Sequence, residues 1–140
     1  MSGIGTRYAG SNVTLTTTAE TPAVVIPFSP GVALNRTLAS PAGVGNTPDY
    51  VMTGTVNVTA GAGTTSIQIR CRQGNNTITG AQVGTTRNET LAAGATQDFA
   101  FNFGDAGAGP AQAYTITVQQ VGATGNGTVN SIGGIIEDYT

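Results

Sequence analysis

Histidine, lysine and tryptophan are absent from this sequence of 140 residues. Without an imidazole, the chain cannot build a catalytic triad or a histidine general base, and it lacks a common ligand of transition metals. Without lysine, Schiff-base chemistry and a Walker-type phosphate loop are excluded. The sequence therefore predicts a protein that is not an enzyme and that holds no metal ion or other cofactor.

Charge is also scarce. Charged residues make up 9% of the chain, against about 25% in a typical globular protein. The five basic residues are all arginine and the net charge is −2, so no basic patch is available for nucleic acid or anionic lipid. No apolar run approaches the roughly 20 residues of a membrane helix, and the N-terminus lacks the pattern of a signal peptide. We therefore expect synthesis in a cytoplasm and partners that are neither nucleic acid nor membrane.

Cysteine occurs once, so the chain cannot form an intrachain disulfide. Cys71 follows Ile67 and Ile69 at two-residue spacing, which places its thiol on the same face of a predicted strand as two isoleucines. We interpret it as a buried, inert thiol rather than a reactive one.

Two-residue alternation of apolar and polar residues, the pattern of half-buried strands, dominates the sequence. Phe99, Phe101 and Phe103, for example, share one face of a predicted strand and are predicted to lie in the core. Glycine-rich turns separate these runs, and no segment has a convincing helical period. The pattern predicts eight strands: Val13–Thr18, Ala23–Phe28, Tyr50–Ala60, Thr64–Gln73, Thr77–Val83, Gln97–Gly104, Tyr114–Val121 and Thr128–Tyr139.

Several short strands with regular turns predict an all-β fold, an antiparallel β-sandwich of the jelly-roll kind, over residues 13–140. Residues 1–12 are rich in glycine and serine and are predicted to form a flexible or partner-docking arm, with a strand as the alternative that the sequence leaves open. Residues 35–47 are predicted to form a long crossover loop between sheets. A β-bulge is predicted at Gly133 and Gly134, where it would change the faces of the two isoleucines that follow.

Carboxylates offer the only remaining route to chemistry. Asp98 and Asp105 flank the phenylalanine strand, and a glycosidase needs two carboxylates at a defined separation. We interpret them instead as solvated charges at strand ends. The loop over 104–109 supplies one carboxylate, which is too few for a calcium site, and we interpret it as an ordinary loop.

Two arginines lie two residues apart on one predicted strand, so their side chains point the same way. In a chain with so few charges, Arg70 and Arg72 are candidates for an interface in which they bind carboxylates, such as Glu137 or Asp138, across a subunit or capsid contact. Pairing within the chain, or a solvated face, is the equal alternative. The candidate interface residues are Arg70, Arg72, Glu137, Asp138 and Arg7.

The order of the predicted strands resembles that of the small trimeric jelly rolls of the tumour necrosis factor and complement type. The stretches that carry the resemblance are 49–56, 66–70, 98–103 and 132–139, and it extends loosely over 21–140. It implies a jelly-roll fold and a homotrimer. No receptor-binding or calcium-binding residue carries over, because no specific motif matches.

The chain is also similar in character to the head decoration (cement) proteins and fibre tips of tailed bacteriophages, which are small, leaderless β domains rich in Gly, Thr and Ala. This resemblance implies a structural virion protein: a homotrimer that is made in the host cytoplasm, binds the major capsid protein on the outer capsid surface and stabilises the capsid. The alternatives are a receptor- or glycan-binding tip domain of a fibre or other surface trimer, and another coat protein such as a spore-surface jelly roll.

Overall fold

A computed structural model describes residues 4–27, 49–105 and 113–139, with the side chains at 4–6, 27, 49, 138 and 139 left out. The predicted crossover loop over 35–47 and most of the loop over 104–109 lie outside these residues. The described chain consists of eight strands: β1 Ile4–Leu15, β2 Thr21–Pro27, β3 Asp49–Thr59, β4 Ser66–Gln73, β5 Gln82–Thr90, β6 Thr96–Asp105, β7 Ala113–Val121 and β8 Gly127–Tyr139.

The strands form two four-stranded antiparallel sheets. Sheet A has the order β1-β8-β3-β6, and sheet B has the order β2-β7-β4-β5. Strands that are distant in sequence, such as β1 and β8, are therefore neighbours. Successive strands alternate between the sheets, except that β4 and β5 are paired in sheet B, in the manner of the double Greek key of a jelly roll. The predicted all-β jelly-roll sandwich is confirmed.

The core lies between the inner faces of the two sheets, where the alternating apolar residues of both meet in one cluster. Phe99, Phe101 and Phe103 of β6 are 3–4% exposed, which confirms the predicted core face. The Sγ atom of Cys71 in sheet B lies 3.6 Å from the Sδ atom of Met52 in sheet A. The side chains of the two sheets are therefore in direct contact at this point.

Strand β1 is longer than the sequence predicts. In place of the flexible or docking arm over 1–12, the structure pairs residues from Ile4 onward with β8 in continuous register. Asn12 adopts a left-handed backbone conformation with φ of 56°, so Tyr8 on one side of it and Val13 and Leu15 on the other all face the core. Because the alternation of buried and exposed residues changes phase at Asn12, a two-residue pattern did not predict the first half of the strand.

The prediction of a strand over Thr77–Val83 is wrong. Thr77 and its neighbours form a turn, in which the Thr77 hydroxyl oxygen accepts hydrogen bonds from the backbone N–H groups of Thr79 and Gly80. Strand β5 begins at Gln82 and lies at the edge of sheet B, where Val83 is its one buried residue. A polar, exposed edge strand has no alternation for a sequence pattern to detect.

The bulge predicted at Gly133 and Gly134 is also misplaced. Both glycines pair in regular register, and the shift between β3 and β8 lies instead between Asn57 and Val58. Gly134 is paired with Gly54 of β3, where two aromatic rings approach the backbone closely. A Cβ atom on Gly54 would lie 2.8 Å from the ring of Phe101 and 2.9 Å from the hydroxyl of Tyr8. Glycine leaves room there for two core rings over the sheet.

Candidate functional site

Arg70 and Arg72 project from β4 on the outer face of sheet B, as their spacing predicts, but they are not free charges. Their side chains are 15% and 17% exposed, and both lie beside the carboxylate of Glu20, just before β2. The Arg72 guanidinium donates two hydrogen bonds to Glu20, at 2.6 and 2.8 Å, in a bidentate pair. This geometry is the intrachain alternative of the sequence analysis.

The Glu20 carboxylate is fully engaged within the chain. It also accepts a hydrogen bond of 2.6 Å from the Thr117 hydroxyl, and the Arg70 guanidinium lies 3.8 Å away. The hydrogen bond from Arg72 is the main cause that holds the pKa of Glu20 below its usual value, and the same bond raises the pKa of Arg72. Both partners therefore remain charged at neutral pH.

A row of hydrogen bonds continues from this cluster across the outer face of sheet B. Arg70 donates to Gln119 of β7 at 2.7 Å, and Gln68 beside it donates to Asn88 of β5 at 3.0 Å. Gln119 in turn donates to the carbonyl of Thr18, in the connection between β1 and β2. These polar side chains of the face are thus hydrogen-bonded within the chain.

Gln120 points inward from β7 at one end of the sandwich and is fully buried. Its side-chain oxygen accepts hydrogen bonds from the Gly61 N–H at 2.7 Å and the Thr64 hydroxyl at 3.1 Å. Its side-chain nitrogen donates to the carbonyls of Thr17 at 2.8 Å and Gly125 at 3.2 Å. One amide therefore ties together three loops that connect the two sheets.

The outer face of sheet A is different. Side chains at alternate positions of β1, β8, β3 and β6 point away from the core there, and most are small and uncharged. A shallow depression of about 630 Å³ lies on this face, floored by Gly133 and lined by Arg7, Ala9, Thr53 and Ile135. The face is smooth because glycine, alanine, serine and threonine replace the larger polar residues of sheet B.

The five candidate interface residues do not come together. Arg70 and Arg72 lie on sheet B, whereas Arg7 and Glu137 lie on β1 and β8 of sheet A, and the side chain of Asp138 is outside the described part. Glu20 was missed by the sequence analysis. Its contact with Arg72 depends on the pairing of β2 with β7 and of β7 with β4, which no local pattern reveals.

The two candidate carboxylates of β6 cannot act together on a glycosidic bond. Asp98 and Asp105 are seven residues apart on one extended strand, which separates them by roughly 24 Å, whereas a glycosidase pair needs about 5–9.5 Å. Asp98 accepts a hydrogen bond from Asn57, and Asp105 accepts bonds from Tyr114 at 2.6 Å and Gln73 at 2.8 Å. Both carboxylates have local structural partners.

Metal binding, thiol chemistry and membrane crossing each require features that can be sought in the described residues. Among residues 4–27, 49–105 and 113–139, no three potential ligands cluster as a metal site would require. Burial raises the pKa of the Cys71 thiol to about 12, and Cys71 is 0% exposed, in agreement with the predicted inert thiol. The same part of the chain has no helix of the length and hydrophobicity that crossing a membrane requires.

With the strand order and both outer faces defined, the domain can be compared with known proteins. No family model matches the chain, and no curated protein matches its sequence. Solved structures do match. A chain of the T13 particle of infectious bursal disease virus aligns with a TM-score of 0.59 at 10% identity, over 96% of this chain and 31% of the viral one.

The VP2 subviral particle of the same virus aligns with a TM-score of 0.53 at 12% identity, over 96% of this chain and 32% of VP2. The Eiger tumour necrosis factor of S. frugiperda aligns over 98% of this chain and 93% of its own, but with a TM-score of 0.42 at 13% identity, below the level from which a shared fold is inferred. The chain thus spans about a third of the viral chains, and has the jelly-roll fold found in viral capsid proteins.

Proposed function

We propose that this chain is a structural virion protein, a decoration or cement protein that binds the outer surface of a capsid as a homotrimer and stabilises it. The observation that carries the proposal is the jelly-roll fold of this chain, which aligns with chains of virus particles. The bacteriophage assignment and the homotrimer are parts of the proposal that rest on composition and on the resemblance of strand order.

The surface chemistry supports a role in assembly. A face with few charges can be covered by a neighbouring subunit without the large cost of removing ions from water. The outer face of sheet A meets this condition. Only three of its outward side chains that the structure describes are charged, namely Arg7, Asp98 and Glu137. The chemistry of the described residues, in contrast, offers no assembled catalytic group.

Capsids of the virus that encodes the chain, prepared with and without its gene, test the proposal. Purified protein added back to the deficient capsids is expected to bind at a fixed ratio to the major capsid protein and to raise their melting temperature. Mass photometry of the isolated protein checks the homotrimer. Binding to host cells or to a glycan array, with no effect on capsid melting, would instead favour the fibre-tip alternative and overturn the decoration role.

A further inference from the structure

Two charged residues on the outer face of sheet A differ from the other charges of this face and of sheet B. Arg7 is exposed on β1, and Glu137 is partly exposed on β8. No ion pair or side-chain hydrogen bond joins either of them to another residue within 4–27, 49–105 and 113–139. By contrast, Asp98 on the same face is held by Asn57. One cation and one anion on this face are therefore available to an external partner.

The register of the sheet fixes their relation. Arg7 is paired with Ile135, and Glu137 follows Ile135 by two positions on the same side of β8. The two charges are therefore diagonal neighbours, with Cβ atoms roughly 8 Å apart. Ile135 is a partly exposed apolar side chain beside them and next to the depression over Gly133.

This arrangement is self-complementary. A two-fold axis that lies in the plane of the contact and passes between Arg7 and Glu137 exchanges their positions, so that each charge meets its opposite on a second copy. The same axis passes close to Ile135 and brings the two Ile135 side chains together. We propose that the outer face of sheet A binds a second copy of this chain, through two symmetric Arg7–Glu137 ion pairs around an Ile135 contact.

The face is large enough for such a contact. Four strands about 4.8 Å apart and about ten residues long, at about 3.4 Å per residue, present roughly 650 Å². Two copies would bury about 1,300 Å², within the range of specific protein interfaces. An interface with the same patch on both copies closes at two subunits. This contact therefore doubles the mass of a monomer, and it doubles that of a trimer when all three patches face the same second trimer.

Sedimentation velocity over a series of concentrations tests the contact with charge reversals. Wild-type protein is expected to form a species with twice the mass of the Arg7→Glu variant. Arg7→Glu and Glu137→Arg alone each place like charges together twice, and each should weaken self-association by roughly tenfold or more. The double variant restores opposite charges and should regain the wild-type mass, which no other partner surface would cause.

Arg87→Glu is the matched control, because it makes the same charge change on sheet B at a side chain that is 46% exposed. It should self-associate like the wild type, and circular dichroism spectra should show that all variants fold. The proposal is overturned if Arg7→Glu has the mass of the wild type, or if the double variant remains dissociated.

The contact goes beyond the proposed function and can fail separately from it. A chain that binds capsids without doubling its mass in solution would retain the decoration role and lose this interface. A chain whose mass doubles through Arg7 and Glu137 but that ignores capsids would do the reverse.

Discussion

The outer faces of the two sheets both carry few charges, but they differ in whether those charges are paired within the chain. Sheet B concentrates its charge at Glu20, Arg70 and Arg72 and satisfies it internally, with side chains that are only 13–17% exposed. Sheet A carries small residues and leaves Arg7 and Glu137 without an ion pair among the described residues. A bound charge stabilises its own fold, whereas an unbound charge on a smooth face is available to a neighbour, and substitutions on the two faces should therefore differ.

The largest loss of stability is expected from a substitution on the inner face of sheet A, and it gives an upper bound for the losses expected on the two outer faces. Phe101→Ala should lower the free energy of unfolding by about 3–5 kcal/mol, because it removes a buried ring and leaves a cavity. Urea unfolding measures the loss. Asn102→Ala, on the exposed side of the same strand, is the control and should stay within about 0.5 kcal/mol. A loss below about 1 kcal/mol for Phe101→Ala would mean that the faces of β6 are assigned the wrong way round.

Removal of the buried amide at the end of the sandwich should have the next largest effect. Gln120→Leu has a similar volume but leaves the Gly61 N–H and the carbonyls of Thr17 and Gly125 without their partner. Unsatisfied buried groups should make this substitution cost about 2–3 kcal/mol in urea unfolding. Gln97→Leu, at an exposed position of β6, is the matched control. Equal losses for the two variants would show that Gln120 does not hold the three loops.

The ion pair of sheet B should have a smaller effect that depends on pH. Glu20→Gln should cost about 1–2 kcal/mol at pH 7, since the carboxylate loses its charge but the site is not fully buried. The pKa of Glu20 is lowered in the folded state, so its contribution is complete above the unfolded value and is lost as pH falls through the folded value. The difference between wild type and variant should accordingly shrink under acid conditions in unfolding curves recorded from pH 7 downward.

Glu89→Gln is the control for that measurement. Glu89 lies on the same sheet, but its ion pair with Arg87 is longer, at 3.8 Å, and the Arg87 side chain is 46% exposed. A pair of this kind contributes little. If Glu89→Gln showed the same loss and the same pH dependence as Glu20→Gln, the bidentate geometry of the Glu20 pair would not be the source of the effect.

The sequence predicted the parts of this fold in which burial follows the two-residue period. Strands β3, β4 and β6 lie close to their predicted bounds, because each has one face in the core. Strand β7 does so too, because its sequence alternates, although its threonines on the other face are also buried. The period failed where burial departs from it. In β1, the left-handed backbone conformation of Asn12 reverses which face of the strand is buried. Strand β5 is an exposed edge strand with one buried side chain.

The candidate site was predictable only in part. Spacing alone showed that Arg70 and Arg72 share a face, because that is a local property of one strand. The identity of their partner was not predictable, since Glu20 is 52 residues from Arg72 and reaches it only through the pairing of β2, β7 and β4. Arg7 and Glu137 are distant in sequence for the same reason, and only the pairing of β1 with β8 places them beside one another.

Arg7→Glu is expected to have the smallest effect on stability, and its comparison with Arg72→Glu is the sharpest test of the difference between the faces. Arg72→Glu and Arg7→Glu make the same charge reversal, one on each sheet. Arg72→Glu replaces two hydrogen bonds to Glu20 by repulsion and should cost more than about 2 kcal/mol, whereas Arg7→Glu removes no bond and should stay within about 0.5 kcal/mol. Urea unfolding at concentrations too low for self-association compares the folds alone. Because the two variants have the same net charge, a similar loss in both would mean that Arg7 is bound within its own chain and is not available to a second copy.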